Sequence, residues 1–364
     1  MTSWLDKWRK WRFQRRSYFM LDVDKLRPGD IIFSTERAAS SFLIRLRTRS
    51  KYSHASIYLG DGLYAEAVDV GVRTRAATTM VKEQMKVIRL KGGAEAEQAA
   101  EAAAERINYY LHAPYALPSA ILSVISSVPS ADSRALFCSQ LIAQSYSDIG
   151  IAVAKGLPPT KVTPAILSNS RLFDDVTESV RFRTRVVPEH LVFGHFETLS
   201  DRETKIVENM YQKLRPFFEQ RGISVPPQWI GMLRILADLN NPSVQKDLDF
   251  EVITTMRDAG YISLLGAVGD EVIKPFAEWL IALEPSKLTD QETALYKYTF
   301  VNALPALKRQ AEIDLGNLQF WTEEWQRTKL GTFQVLAKYA DTERNQRLGM
   351  IKMVETALER LRSR

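Results

Sequence analysis

Residues 53–67 read SHASIYLGDGLYAEA, a sequence with the pattern of a β-hairpin. Apolar, aromatic and β-branched residues on both sides of a Gly-Asp-Gly sequence predict two short strands joined by a tight turn. His54 opens the first strand, and Glu66 lies near the end of the second. The chain has four histidines and a single cysteine, Cys138. Whether His54 lies near Cys138 therefore determines whether the thiol has a histidine as its base.

The register of the hairpin decides which acid lies beside His54. A two-residue turn over Asp61-Gly62 pairs His54 with Asp69 and turns Glu66 to the other face. A three-residue loop instead places Glu66 on the face of His54, opposite Ser56 and diagonal to the histidine. The glycines of the turn permit either loop, so the sequence leaves Glu66 and Asp69 both open as the partner acid.

The bulk composition is that of a folded intracellular protein with two domains. A chain of 364 residues is too long to fold around one small hydrophobic core, so two domains are expected. Hydrophobic residues make up 45% and charged residues 25%, as in soluble globular proteins. One cysteine excludes an intrachain disulfide and fits a reducing compartment. The N-terminus lacks the apolar core of a signal peptide, so we expect a cytoplasmic protein.

The positive charge is concentrated in residues 1–20. This segment contains six Lys and Arg residues and one acid, Asp6, so most of the net charge of +6 lies in it. The nearly neutral remainder argues against a nucleic-acid-binding protein. Trp4, Trp8 and Trp11 follow helical spacing. This basic amphipathic arm predicts either docking on the protein's own core or peripheral binding to an anionic inner membrane surface.

The sequence of the C-terminal part predicts a helical domain. Beyond residue 199 strand patterns are scarce, and capping-box sequences occur at residues 200–203 and 289–292. Typical helix lengths predict roughly six to eight helices. The last of them carries an apolar stripe. Its role is open, and a protein partner is one expectation.

Cys138 lies in a segment that predicts a helix. Residues 132–150 fit a helix that Asp132 or Ser133 caps and Gly150 ends, with the cysteine in a first turn after Phe137. Backbone N–H groups and the helix dipole favour the thiolate at such a position. A nearby histidine, oriented by a third polar group, would complete a nucleophile–base pair.

The hairpin sequence HASIYLGDGLYAEA resembles the first active-site motif of circularly permuted papain-fold enzymes. These comprise the YiiX-like branch of the NlpC superfamily and the lecithin:retinol acyltransferase-like proteins. In them the histidine strand comes first, an orienting polar residue follows twelve positions later, and the nucleophilic cysteine comes last at a helix start. His54, Glu66 and Cys138 match this pattern in type and order.

Four further segments carry the resemblance, which covers about residues 24–180. They are LRPGDIIFS (26–34), HAPYALPSA (112–120), LFCSQLIAQSY (136–146) and VTPAILSNSRLF (162–173). The resemblance implies that Tyr115 lines the substrate cleft or donates to the oxyanion, with a packing role as the alternative. Gln140 stands where the family usually has glutamate, and Ala116 where it usually has aspartate, so the pocket differs in what it accepts.

These observations predict an α+β protein in three parts. Residues 1–20 form the basic arm, residues 21–198 a circularly permuted papain-like (NlpC-like) catalytic domain, and residues 199–364 an all-α helical domain. The expected activity is a cysteine hydrolase of an amide bond (peptide, isopeptide or peptidoglycan-like). The alternatives are a lipid acyltransferase or thiol lipase at a membrane, favoured by the uncharged residues 107–131, and an inactive scaffold.

Cofactor chemistry is not expected from the sequence. No Walker loop or Gly-x-Gly-x-x-Gly sequence occurs. Glu189, His190 and His195 have a spacing that fits no common helical metal-ligand pair. The expected mechanism needs neither a metal nor an organic cofactor.

Overall fold

The computed structural model describes seven stretches of the chain, and these belong to two units. The stretches are residues 18–35, 51–68, 71–111, 137–184, 195–226, 229–268 and 273–362. The first unit contains the described residues up to 184 together with residues 289–303. The second contains residues 195–288 and the residues from 304 onward. The sequence had placed residues 289–303 in the helical domain, whereas their contacts group them with the first unit.

The first unit is built on antiparallel β-structure. Its described strands are β1 (Tyr18–Leu21), β2 (Ile31–Ser34), β3 (His54–Gly60), β4 (Leu63–Val68), β5 (Gly71–Ala76), β6 (Met85–Leu90), β7 (Phe173–Asp175) and β8 (Arg181–Thr184). Six of them form one sheet in the order β5-β4-β3-β2-β6-β7, and β1 pairs with β8 separately. Every pairing is antiparallel.

The β3–β4 hairpin turns through two residues. Gly60 pairs with Leu63 across the turn. Asp61 and Gly62 both have positive φ, at 49° and 77°, as a type I′ turn requires. The hydroxyl of Tyr58 accepts the N–H of Gly62 at 2.8 Å and braces the turn from within the hairpin.

A β-bulge then changes the register of the same hairpin. The pairing shifts between Tyr58 and Gly60, which leaves Leu59 as an extra residue on β3. As a result Ser56 lies opposite Glu66. The structure thus combines the short turn of one sequence-based alternative with the register of the other, because the bulge inserts one unpaired residue.

One face of the sheet carries both a hydrophobic core and the polar residues of the hairpin. Tyr58 and Tyr64 are cross-strand partners, and side chains alternate along a strand. They therefore share a face with Ser56 and Glu66. The core cluster on this face also includes Leu21, Val23, Leu26, Ile32, Ala77, Met80, Met85, Val87 and Val180.

Helices α1 (Ala94–Arg106) and α2 (Cys138–Asp148) pack on the sheet and on each other. Tyr146 of α2 donates to the carbonyl of Gly29 at 3.0 Å. Gly29 has φ 84°, and a Cβ there would lie 2.5 Å from Ala100 of α1, so this close approach requires glycine. Two short helices follow, α3 (Pro164–Ser168) and α4 (Thr177–Val180).

The start of α2 differs from the sequence-based expectation. The helix begins at Cys138, with the extended Phe137 at the N-cap position and no side-chain cap. Asp132 and Ser133, expected as caps, lie outside the described residues. The cysteine therefore occupies the first helical position, closer to the helix end than a helix over 132–150 implies.

The described residues from 195 to 362 contain seven α-helices and no strand. They are α5 (His195–Glu219), α6 (Trp229–Ala237), α7 (Pro242–Asp258), α8 (Tyr261–Val268), α9 (Lys274–Ala282), α10 (Asp290–Thr328) and α11 (Gly331–Arg362). This confirms the α+β class with a large helical C-terminal region. Nowhere in the described chain is a helix both long and apolar enough to span a lipid bilayer.

The two capping-box sequences have different outcomes. Thr289 and Glu292 cap α10 reciprocally: the Thr289 hydroxyl accepts the Glu292 N–H, and the Glu292 carboxylate accepts the Thr289 N–H. The box at residues 200–203 does not start a helix, because α5 begins at His195.

The helical unit has its own core, which includes Met210, Leu214, Phe218, Leu233, Leu248 and Phe333.

Candidate active site

The hairpin brings an imidazole and a carboxylate into direct contact. Nε2 of His54 lies 2.8 Å from Oε2 of Glu66, and both side chains are buried. The contact follows from the register, because Glu66 is opposite Ser56 and hence diagonal to His54 on the same face. Asp69, the other acid considered, lies outside the described residues.

Cys138 reaches the same imidazole from the start of α2. The residue is 3% exposed, and its thiol lies close enough to His54 to raise the pKa of the imidazole. Since Glu66 engages Nε2, the ring nitrogen left for the sulfur is Nδ1. The imidazole thus has the sulfur of Cys138 and the carboxylate of Glu66 as its two neighbours.

The surroundings of His54 favour its charged form. Burial opposes a buried imidazolium, but the hydrogen bonds to Cys138 and Glu66 and the negative charge of both partners outweigh it. Together they raise the pKa of His54 to about 10. The imidazole therefore carries its proton at neutral pH.

Glu66 is held by two arginines as well as by the histidine. Arg73 donates from Nε and Nη2 to Oε1, at 3.0 Å and 2.8 Å. Nε of Arg75 lies 3.0 Å from the same oxygen. Burial by itself would raise the pKa of Glu66, but the hydrogen bond to His54 and the charges of His54 and both arginines hold it well below its usual range.

The first turn of α2 is anchored by the segment that follows the helix. Ser139 is fully buried, and its hydroxyl donates to the carbonyl of Val162 at 2.7 Å. The next residue, Thr163, caps α3 by accepting the N–H of Ile166. This Thr-Pro helix start therefore fixes the backbone beside Cys138. Gln140 is also buried.

The other candidate residues lie outside the described part of the chain. This applies to Tyr115, Glu189 and His190, and to the side chain of His195. Within the described residues, no group of three or more His, Cys, Asp and Glu side chains is arranged to hold a metal ion.

Sequence reasoning missed Arg73 and Arg75. The sequence does contain a pattern for them, because GVRTRA in residues 71–76 alternates and places two arginines on one face of a strand. The partner of that face became evident only from the pairing of β5 with β4.

Comparison with known proteins relates the first unit to one family. Residues 25–170 match the model of the permuted papain-like amidase enzymes of the YaeF/YiiX, C92 family. A segment of 86 residues is 34% identical to the probable lipoprotein peptidase YaeF of Escherichia coli (strain K12). The match covers 22% of this chain and spans 31% of the length of that relative.

A solved structure is also similar to part of the chain. It is the crystal structure of the metalloprotein yiiX from Escherichia coli O157:H7, at 21% identity and a TM-score of 0.33. The similarity covers 42% of this chain and 96% of that one. Residues 25–170 thus match the model of the permuted papain-like amidase enzymes of the YaeF/YiiX, C92 family, and this is the family that the first unit is similar to.

Proposed function

We propose that the first unit is a cysteine hydrolase of amide bonds, with Cys138 as nucleophile, His54 as proton carrier and Glu66 as the residue that orients His54. The observation that carries the proposal is that one buried imidazole contacts both the only sulfhydryl of the chain and a carboxylate that has arginine partners. This is the arrangement of a nucleophile, a base and a third group that orients the base.

In the first step the thiolate of Cys138 attacks the carbonyl carbon of the amide. A C–S bond forms, and the carbonyl electrons move onto oxygen. Cys138 is the first residue of its helix, where backbone N–H groups have no intrahelical acceptor, so its own N–H is a donor for this oxyanion. The C–N bond then breaks, and the imidazolium of His54 gives its proton to the departing amine.

In the second step water resolves the thioester. The now neutral His54 takes a proton from water as the oxygen attacks the acyl carbon. The C–S bond breaks, the carboxylic acid leaves, and the thiolate–imidazolium pair returns. Glu66 holds Nε2 throughout, so the ring cannot rotate away from the sulfur.

A thiol-directed probe with full-length protein tests the proposal. The chain contains one cysteine, so covalent labelling reports Cys138 alone. We expect labelling at neutral pH that is lost in Cys138→Ala and reduced by at least about a hundredfold in His54→Ala. Release of amine from a panel of peptide, isopeptide and muropeptide amides should depend on the same two residues. Labelling that is indifferent to His54 would contradict the proposal and support an inactive scaffold.

Acyl transfer is a second outcome of the same thioester. If the acceptor is an amine or an alcohol of a lipid instead of water, the enzyme is an acyltransferase. The sequence features that favour this acceptor are the basic tryptophan arm of residues 1–20 and the uncharged residues 107–131. Incubation with acyl-labelled phospholipid and an amine acceptor separates the two, since transfer gives a new amide and hydrolysis gives free acid.

A further inference from the structure

Two buried arginines converge on the carboxylate that contacts His54. Arg73 is the direct cross-strand partner of Glu66, and Arg75 is the partner of Tyr64, one position further along the same face. Their side chains are 9% and 8% exposed, and that of Glu66 is 7% exposed. The register of β4 and β5 thus places two cations next to one anion in the interior of the sheet.

The two carboxylate oxygens of Glu66 have different partners. Among the contacts of the described residues, both arginines approach Oε1 and His54 approaches Oε2. Arg73 uses two nitrogens on this oxygen, a geometry that restricts rotation of the carboxylate. Guanidinium groups do not release their protons in proteins, so both cations are permanent. Oε1 therefore accepts two hydrogen bonds from Arg73 and forms an ion pair with Arg75, while Oε2 contacts the imidazole.

We propose that Arg73 and Arg75 are positioning residues of the active site, which keep Glu66 ionised and aim one of its oxygens at His54, so that the imidazole presents its other nitrogen to Cys138. The inference rests on the proposed pairing of Cys138 with His54. It extends the proposed active site from three residues to five and assigns a role to β5, a strand that the sequence did not connect with catalysis.

The physical reason is the cost of a buried charge. Desolvation is the largest single influence on Glu66 and favours its neutral form. Without cations nearby, a buried carboxylate takes up a proton in the mildly acidic range. A neutral Glu66 no longer supports the imidazolium, and an imidazole that binds its proton less tightly no longer supports the thiolate. Loss of the arginines should thus appear as a loss of thiolate at acidic pH.

The test measures alkylation of full-length protein by iodoacetamide from about pH 4 to about pH 9. The double variant Arg73→Gln/Arg75→Gln should react more slowly than the wild type already at about pH 8, because Glu66 is no longer aimed at His54. At about pH 5 its rate should fall about tenfold further than that of the wild type, because Glu66 becomes protonated. Arg73→Lys keeps the charge with fewer donors and should give an intermediate profile.

Arg89→Gln is the matched control. Arg89 makes a two-pronged contact with Asp30 in the same unit, from Nε and Nη2 at 2.7 Å each, away from His54. Its loss removes a comparable buried ion pair, so it should lower the melting temperature and leave the shape of the pH profile unchanged. Arginines that only fasten β5 to β4 would behave like this control.

Each result decides the inference. The inference is wrong if the double variant folds and its alkylation profile matches that of the wild type. If the double variant does not fold, a wild-type profile for Arg75→Gln overturns the inference instead. Failure of the proposed function is a different outcome: alkylation would show the predicted acidic shift while no amide is cleaved. Carbon NMR of the Glu66 carboxyl adds a second measurement, in which this group should take up its proton at a higher pH in the double variant than in the wild type, because the two arginine charges that lower its pKa are gone.

Discussion

Glu66 reaches His54 diagonally across the β3–β4 hairpin, with 2.8 Å between Oε2 and Nε2. The contact requires that Leu59 stays out of the strand pairing, because a hairpin with the same two-residue turn and a paired Leu59 would direct Glu66 to the opposite face. One unpaired residue near the tip of the hairpin therefore determines whether Glu66 lies on the face of His54.

Deletion of Leu59 should be tolerated. The deletion removes the extra residue, so Gly60 still pairs with Leu63, and Ser56 still lies opposite Glu66. We expect Cys138 labelling within about threefold of the wild type. Insertion of one alanine before Glu66 is the contrasting variant, because it turns the carboxylate away from His54 and should abolish labelling. Equal labelling of the two variants would contradict this account of the register.

Glu66→Gln should weaken the proton affinity of His54. The charge of Glu66 and its hydrogen bond both raise the pKa of His54, which is about 10. An uncharged amide of the same shape keeps the contact and loses the charge, so the pKa of His54 should fall. Titration of the ring by NMR measures the shift. We expect labelling at neutral pH to fall by about tenfold or more, and an unchanged titration would exclude Glu66 as the orienting acid.

Tyr298 should stabilise the first unit. Its hydroxyl accepts the N–H of Val23 at 3.1 Å and donates to the carbonyl of Leu21, and its ring packs edge-on against Phe182. Tyr298→Phe removes only the hydroxyl and leaves two backbone groups without it, which should cost about 1–3 kcal/mol of unfolding free energy. Denaturant titration followed through this unit measures the cost, and Tyr109→Phe, at an exposed position, serves as the control. Equal stability of the two variants would contradict the prediction.

Alkaline pH should destabilise the helical unit through Glu343. Burial, together with the charges of Glu203 and Asp314, raises the pKa of Glu343 to about 8 against the attraction of Arg347. The folded state therefore holds a proton that the unfolded state has released. Stability should be fully present below the ordinary carboxyl pKa and should decline as the pH rises through about 8.

Glu343→Gln tests this linkage, since the amide does not titrate. The variant should gain roughly 1–3 kcal/mol over the wild type at alkaline pH, and its melting temperature should vary less between acidic and alkaline buffer. Glu359→Gln, at an exposed position of the same helix α11, is the control. A parallel pH dependence of Glu343→Gln and wild type would rule the carboxylate out.

The basic arm should bind anionic vesicles. Its positions up to residue 17 lie outside the described residues, so the expectation rests on sequence alone. Replacement of Trp4, Trp8 and Trp11 by serine should reduce co-sedimentation with phosphatidylglycerol vesicles about tenfold, and added salt should weaken the binding of the wild type. Neutral vesicles are the control. Equal sedimentation of variant and wild type would favour docking of the arm on the protein itself.

Much of the architecture was accessible from local patterns. Alternating apolar residues predict β3 and β4 on either side of the turn, and the box at residues 289–292 predicts the start of α10. Such features depend on residues within one or two turns of each other, for which intrinsic propensity and side-chain capping are sufficient. The candidates His54 and Cys138 were also accessible, through their scarcity and the resemblance to a known family.

Tertiary structure alone decided which residues meet. The sequence left Glu66 and Asp69 open because a bulge costs little and has no reliable local pattern. Arg73 and Arg75 joined the site through the pairing of β5 with β4, and Tyr298 joined the first unit from a distant helix. Propensities act over a few residues, whereas these contacts depend on sheet register and on packing between segments far apart in the chain. Sequence therefore determined the elements and their chemistry, and tertiary packing determined their partners.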